Sequence, residues 1–203
     1  AINVVLIIPG IFVIFFSGIS WRIIFGGCAA LALISPVIWM FVLQEYQKKR
    51  IVTLFDPESD ALGAGWNIIQ SKIAIGSGGL MGKGFTEGTQ SHLGYLPEHH
   101  TDFIMSTLAE EFGFLGVMTL FVLFAAIIIR CLFISLNCFH NFGRLYVSAT
   151  AMTFFFFVFL NSGMVSGILP VTGDPLPLMS YGGTAVIATL AGMGIVMSVH
   201  THR

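Results

Sequence analysis

From Phe112 to Ile134 the chain carries a single charged residue, Arg130, in a run dominated by Leu, Ile, Val and Phe. That run matches the roughly 20 residues a helix needs to cross the hydrocarbon core of a bilayer. Inside lipid no water satisfies backbone N–H and C=O groups, so the segment must form a helix that bonds to itself. Four more apolar segments read the same way: Val4–Ile19, Ile23–Leu43, Leu145–Gly163 and Thr184–Val199. Charged residues make up 9% of the chain, against the roughly 25% of a soluble domain. The mean hydropathy of +0.90 agrees. The predicted class is an all-α polytopic membrane protein, with about five transmembrane helices in a single membrane domain over residues 1–203.

The chain opens Ala1-Ile2-Asn3-Val4, already apolar and with no basic region ahead of it, unlike a signal peptide. It reads as a fragment that begins inside a helix and lacks much of an N-terminal half. A formal net charge of −1 argues against a nucleic-acid partner. Cys28, Cys131 and Cys138 fall outside the long polar loop and form no CxxC pair, so neither a disulfide framework nor a cysteine metal site is expected.

Between the second and third spans lies Gln44–Thr101. Unstructured connectors beyond about 15 residues are usually functional or disordered, and this one is predicted to fold against the membrane. Its stretch Trp66–Ile75 suits a short interfacial helix with the Trp at headgroup level. Alternating the spans sorts the connections onto two sides. One side holds Ser20–Arg22, Cys131–Arg144 and His200–Arg203, with Arg22, Arg144, Arg203 and the adjoining Arg130 and no acid. The other holds Gln44–Thr101, Met164–Gly183 and all ten Asp and Glu residues, together with Lys48, Lys49 and Arg50. Short loops set orientation more reliably than long ones. That puts the arginine side in the cytoplasm and makes residues 44–101 and 164–183 extracytoplasmic loops, the second one re-entrant.

Three clusters are candidates for chemistry. The glycine cluster Gly76–Gly84 imitates a phosphate loop without meeting its pattern: Walker A requires Gly where Ser77 stands and Ser or Thr where Gly84 stands, and a GxGxxG from Gly76 would end on Met81. A turn-rich loop is the simpler reading. The sharper one keeps Lys72 and Lys83 as point charges for a pyrophosphate, helped by glycine N–H groups.

The second cluster is His92, Glu98, His99, His100 and Asp102. Adjacent side chains point in different directions, so Glu98, His99 and His100 do not converge on one ion, and no metal ligand set is assigned. Weak coordination of Mg²⁺ or Mn²⁺ beside a substrate phosphate is the one cofactor the pattern suits. Asp102 itself has two readings. Its place just before an apolar helix favours capping, while an ionisable group where water meets membrane is also a candidate general base. Glu110 and Glu111 follow two turns later, either to pair with cations on helices missing from this fragment or to mark the interface.

The third cluster is Asn161–Pro170 followed by Pro175–Gly183, whose prolines and glycines break helix. Irregular backbone at membrane depth is tolerated where it is buried in protein or lines a cavity, so it serves as a packing turn, a cavity wall or both. Phe154–Phe157 reads as lipid contact and packing.

Together these motifs resemble the SEDS family (shape, elongation, division and sporulation), which includes the RodA, FtsW and SpoVE branches. The carrying residues are Gln70–Gly79, Gly88–His92, Leu96–Phe103, Gly163–Pro170, Pro175–Gly183 and His200–Arg203, with the Gly163–Pro170 run and the His-Thr-His ending favouring the RodA branch. The resemblance implies that the chain is the last five of about ten helices of a peptidoglycan glycosyltransferase that polymerises lipid II for cell-wall elongation and rod shape. It implies Asp102 as the base that takes the proton of the acceptor's sugar 4-hydroxyl, with undecaprenyl pyrophosphate leaving. It places Lys72, Lys83, Gln90, Ser91, Glu98, His100, Thr101, Ser180 and Tyr181 at the substrate. It further implies the bacterial cytoplasmic (inner) membrane, an extracytoplasmic active face, and a class B penicillin-binding transpeptidase and other elongation-complex membrane proteins as partners. The chain departs from the family pattern at His99, where Arg is usual, and at Asp174, where a small apolar residue is common. A lipid II flippase and an inactive truncated scaffold are the competing readings; a transporter should carry ionisable residues near mid-membrane, whereas the acids here gather at one surface.

Overall fold

The computed structural model describes residues 10, 21–37, 44–56, 58, 63–92 and 100–201. All of its regular structure is helical: α1 (Trp21–Val37), α2 (Glu45–Phe55), α3 (Ala64–Gly78), α4 (Thr89–His92), α5 (Ile104–Leu136), α6 (Asn141–Val165) and α7 (Gly183–Thr201). Among the described residues, α5, α6 and α7 are long and apolar enough to cross a membrane. At 1.5 Å per residue, the part of α5 after its break is about 34 Å long and α7 about 28 Å, close to a hydrocarbon thickness of about 30 Å. Apart from Gly10, the expected span Val4–Ile19 lies outside the described residues, and α1 covers part of the expected Ile23–Leu43.

Each packed face follows helical spacing. On α6 the buried residues include Gly143, Val147, Ala151, Phe154, Val158, Asn161 and Val165, three or four apart. They meet α5 through Phe124, Cys131 and Ile134, and α7 through Val196. Phe154 sits edge-on to Phe124 with ring centroids 5.4 Å apart, a contact worth about 0.5–1.5 kcal/mol beyond area burial. Phe155 points outward, so the phenylalanine run divides between packing and the exterior. Most of α7 is exposed apolar surface, as suits lipid or other helices of a polytopic protein. On α3 the buried face is Gly65, Ile68, Ser71, Ala74 and Gly78. Its small residues allow backbone approach: a Cβ on Gly78 would collide with the Ala109 carbonyl. The helix expected at Trp66–Ile75 is therefore present and longer than expected, while α2, ahead of it, lies within the expected loop Gln44–Thr101.

The break in α5 explains the glycine cluster. Gly113 adopts φ 66° and ψ −163°, a region essentially open only to glycine. Interrupting a helix orphans carbonyls before the break and N–H groups after it. Here the 79–84 loop lies across the break and meets both sets. Lys83 N donates to Glu110 O (2.9 Å) and Gly84 N to Glu111 O (3.1 Å), while Phe114 N donates to Gly79 O (2.9 Å) and Leu115 N to Leu80 O (3.2 Å). A Cβ on Gly113 would collide with the nitrogen of Gly82. The cluster is thus neither a phosphate cradle nor a slack turn; its backbone completes a broken helix. Gly113→Ala is expected to destabilise the protein by about 3 kcal/mol, seen as a lower unfolding midpoint of the full-length protein in detergent. An unchanged midpoint would rule out this account of the break.

Candidate active site

α5 begins at Ile104 with Phe103 as its N-cap, a residue whose side chain makes no capping bond. The cap position is held by Phe103, one residue after Asp102. Capping needs the side chain at the cap residue itself, and here that residue is an apolar anchor. Phe103 is fully buried against Met105, Met164 and Val165, and its carbonyl accepts from the backbone and hydroxyl of Ser106.

The three residues before that anchor are clamped through their carbonyls. His100 O accepts from Tyr181 N at 3.0 Å, Thr101 O from Ser180 Oγ at 2.6 Å, and Asp102 O from Asn161 Nδ2 at 2.8 Å. The donors come from the end of α6 and from the irregular segment between α6 and α7, so the third motif cluster grips the second. Asn161 also donates to Asp174 O at 2.9 Å, and Ser180 Oγ accepts from Leu176 N at 2.7 Å. Both of these side chains are buried. Ser180, expected at the substrate, has its hydroxyl engaged by backbone on both sides. Asn161 had no role assigned from sequence; the signal for it was an amide set in an apolar, phenylalanine-rich helix, where polar side chains are costly.

These three bonds fix the backbone of 100–102 and with it the position of the Asp102 carboxylate. It is half-buried. Its Oδ2 lies 3.3 Å from where a Cβ on Gly173 would sit, and Gly173 has φ +73°, so the glycine keeps that approach open. Asp174, the next residue, is 1% exposed and neither carboxylate oxygen has a hydrogen-bond partner; the same holds for Oδ1 of Asn161. His100 and Tyr181 are exposed and line a 760 Å³ cleft with Ile104, Met179, Ser180, Gly182, Gly183, Val186 and Ile187. Thr101 is half-buried.

The two lysines separate. Lys83 Nζ donates to Oε1 of the fully buried Glu110 at 2.7 Å and to Thr89 Oγ1 at 2.8 Å. Oε1 of Glu110 also accepts from Thr89 Oγ1 (3.1 Å) and Gln90 N (3.0 Å). Glu110 thus finds its cation within this chain, on the glycine loop. Glu111 Oε1 accepts from Thr86 N. Gln90, expected at the substrate, supplies its backbone to this network while its side-chain Oε1 is buried without a partner. Lys72 lies on the exposed side of α3, its tip over Gly167, whose φ is +71°. Next to it, Ser71 Oγ fastens α3 to Val165 O at 2.6 Å. Ser166 and Ile168, flanking Gly167, line an apolar cavity of 370 Å³. Ser91 is placed on α4, and Glu98 and His99 lie outside the described residues. Among the described residues no group of three or more His, Cys, Asp or Glu is arranged to hold a metal.

The family model FTSW_RODA_SPOVE, described as a cell cycle protein, matches residues 2–203. The chain is 53% identical to the peptidoglycan glycosyltransferase MrdB of Escherichia coli (strain K12), over 99% of this chain and 54% of that protein. It is 40% identical to the peptidoglycan glycosyltransferase RodA of Treponema pallidum (strain Nichols), over 87% of this chain and 41% of that protein. A chain from a solved structure described as the structural coordination of polymerization and crosslinking by a peptidoglycan synthase complex superposes with TM-score 0.79 at 36% identity, covering 97% of this chain and 54% of that one. The rod shape determining protein RodA of Thermus thermophilus gives TM-score 0.60 at 32% identity, covering 98% and 48%. The chain spans about half the length of the curated relatives it matches. With nearly every residue inside one family model and the same fold in solved members, this chain belongs to the FtsW, RodA and SpoVE family of polytopic membrane proteins, the SEDS family its motifs resemble.

Proposed function

We propose that this chain is the catalytic part of a peptidoglycan glycosyltransferase that polymerises lipid II at the outer face of the bacterial cytoplasmic membrane. The observation that carries the proposal is the three-carbonyl clamp on His100, Thr101 and Asp102. It holds one half-buried carboxylate rigidly in a family whose curated relatives are named for that activity. In this reading Asp102 accepts the proton of the acceptor's sugar 4-hydroxyl as that oxygen attacks the donor's anomeric carbon. The bond from that carbon to the pyrophosphate oxygen breaks, its electron pair leaves with undecaprenyl pyrophosphate, and configuration inverts. A pyrophosphate needs no proton to leave, so one base suffices. Charge on the leaving group calls for a cation.

Lys72 fits that role better than Lys83, whose ammonium is engaged by Glu110 and Thr89. Lys72 also stands beside an apolar cavity, the combination of charge and apolar surface that an anionic lipid needs. Lys72→Gln is expected to lower kcat/KM for lipid II about tenfold; parent-like kinetics would remove Lys72 from the substrate. The partner in this reading is a class B penicillin-binding transpeptidase, in keeping with the synthase complex whose chain superposes on this one.

The deciding experiment is incubation of the detergent-purified full-length protein with labelled lipid II and its transpeptidase. Detergent abolishes any vectorial readout, so glycan chains support the transferase. If none form while lipid II crosses the bilayer of reconstituted vesicles, the flippase reading replaces it.

A further inference from the structure

We infer that the groove between α5 and α7 binds one anionic glycerophospholipid, with its phosphate on Arg130 and an acyl chain along the groove. Arg130 is the one charged residue between Phe112 and Ile134. It stands about 24 Å along α5 from Phe114 and about 9 Å short of the helix end at Leu136. At that depth a long basic side chain reaches toward the nearer headgroups, and its charge asks for a partner. The group it meets is no acid: Nη2 of Arg130 lies 3.3 Å from Nε2 of His200, in the last turn of α7. The sequence has no Asp or Glu between Glu111 and Asp174, or after Asp174. Neither α5 beyond its break, nor α6, nor α7 can therefore supply one. A guanidinium against an imidazole nitrogen keeps its charge, and its remaining donors suit the oxygens of a phosphate.

The apolar half of the site is a cavity of 610 Å³ between the two helices. Leu120, Leu123 and Ile127 line it from α5, and Met193 and Met197 from α7. Arg130 is the one charged residue among the described residues that line it. The rise from Leu120 to Arg130 is about 15 Å, half of a hydrocarbon thickness of about 30 Å and so the depth of one leaflet. Leu123 and Met197 are exposed, which leaves the groove open to lipid.

An apolar helix laid in the same groove would bury the guanidinium without an anion, which is costly. A phospholipid meets the apolar walls and the charge together, and basic pockets between transmembrane helices are where anionic headgroups are recognised. The leaflet is the one on the far side of the membrane from Asp102, because α5 starts beside Asp102 and Arg130 lies near its other end. The site is thus independent of the glycosyl transfer proposed above and stands or falls without it.

The test is native mass spectrometry of the detergent-purified full-length protein given equal amounts of phosphatidylglycerol and phosphatidylcholine. The parent is expected to retain one phosphatidylglycerol with about fivefold preference. Arg130→Gln removes the charge. At Ala126, exposed on the groove wall, Trp fills the groove and leaves Arg130 in place. Each variant is expected to lose the preference, and unfolding midpoints identify the folded ones, of which one is enough to decide. A parent without preference overturns the inference and would mean that another helix of the longer protein covers the groove. Parent-like preference in either folded variant overturns it too. So does displacement of the lipid by inorganic phosphate, which has no acyl chain to seat.

Discussion

Asp102→Asn in the full-length protein is expected to lower lipid II polymerisation at least 10²-fold, the usual contribution of a positioned general base, with an unfolding midpoint within a degree or so of the parent. The second half of that expectation comes from the clamp. The three clamp bonds on residues 100–102 end on backbone carbonyls, so changing the Asp102 side chain leaves those three in place. Asn keeps the size of Asp and cannot take the proton. Product measured as glycan length on a gel, alongside a thermal scan in detergent, separates the two effects. Full activity in a folded Asp102→Asn protein would end the assignment of Asp102 as base.

The second large effect concerns folding. Lys83→Met leaves Glu110, fully buried, without its ammonium at 2.7 Å. Removing one partner of a buried pair typically costs about 3–5 kcal/mol, because the remaining charge stays uncompensated. Replacing both, as Lys83→Met with Glu110→Leu, is expected to recover most of that loss, since an apolar pair of similar size is often as stable as the ion pair. A double-mutant cycle on the unfolding midpoint measures the coupling. Additive single effects would show that the pair is not a unit. The consequence for activity is indirect, because the pair fastens the glycine loop where it bridges the break at Gly113.

The membrane class was legible because lipid forces a long apolar run into helix, so Phe112–Ile134, Leu145–Gly163 and Thr184–Val199 all found spans within a few residues of their limits. The start of α5 was not. Its first turns carry Glu110 and Glu111, which hydropathy counts as loop, and only the partners 21 and 27 residues earlier in Thr89 and Lys83 allow a carboxylate to be buried there. Composition identified the glycines as backbone-permissive, yet nothing local states that their N–H and C=O groups pair with a broken helix. Asp102 stood out through its motif, and position alone favoured a cap, whereas the cap position itself is taken by Phe103. Asn161 and Gly173 meet Asp102 from 59 and 71 residues away, a relation that spacing along the chain does not encode.

The clamp separates where the identity of a reactive group is written from where its position is written. Asp102 supplies the carboxylate, while its coordinates in space are dictated by an amide on α6 and a serine hydroxyl that turn all their hydrogen bonds toward backbone. In a growth-based mutational map of such a protein, changes at Asn161 or Ser180 would therefore carry the signature of lost chemistry. A map of that kind draws the outline of an active site larger than the set of atoms that ever touch substrate.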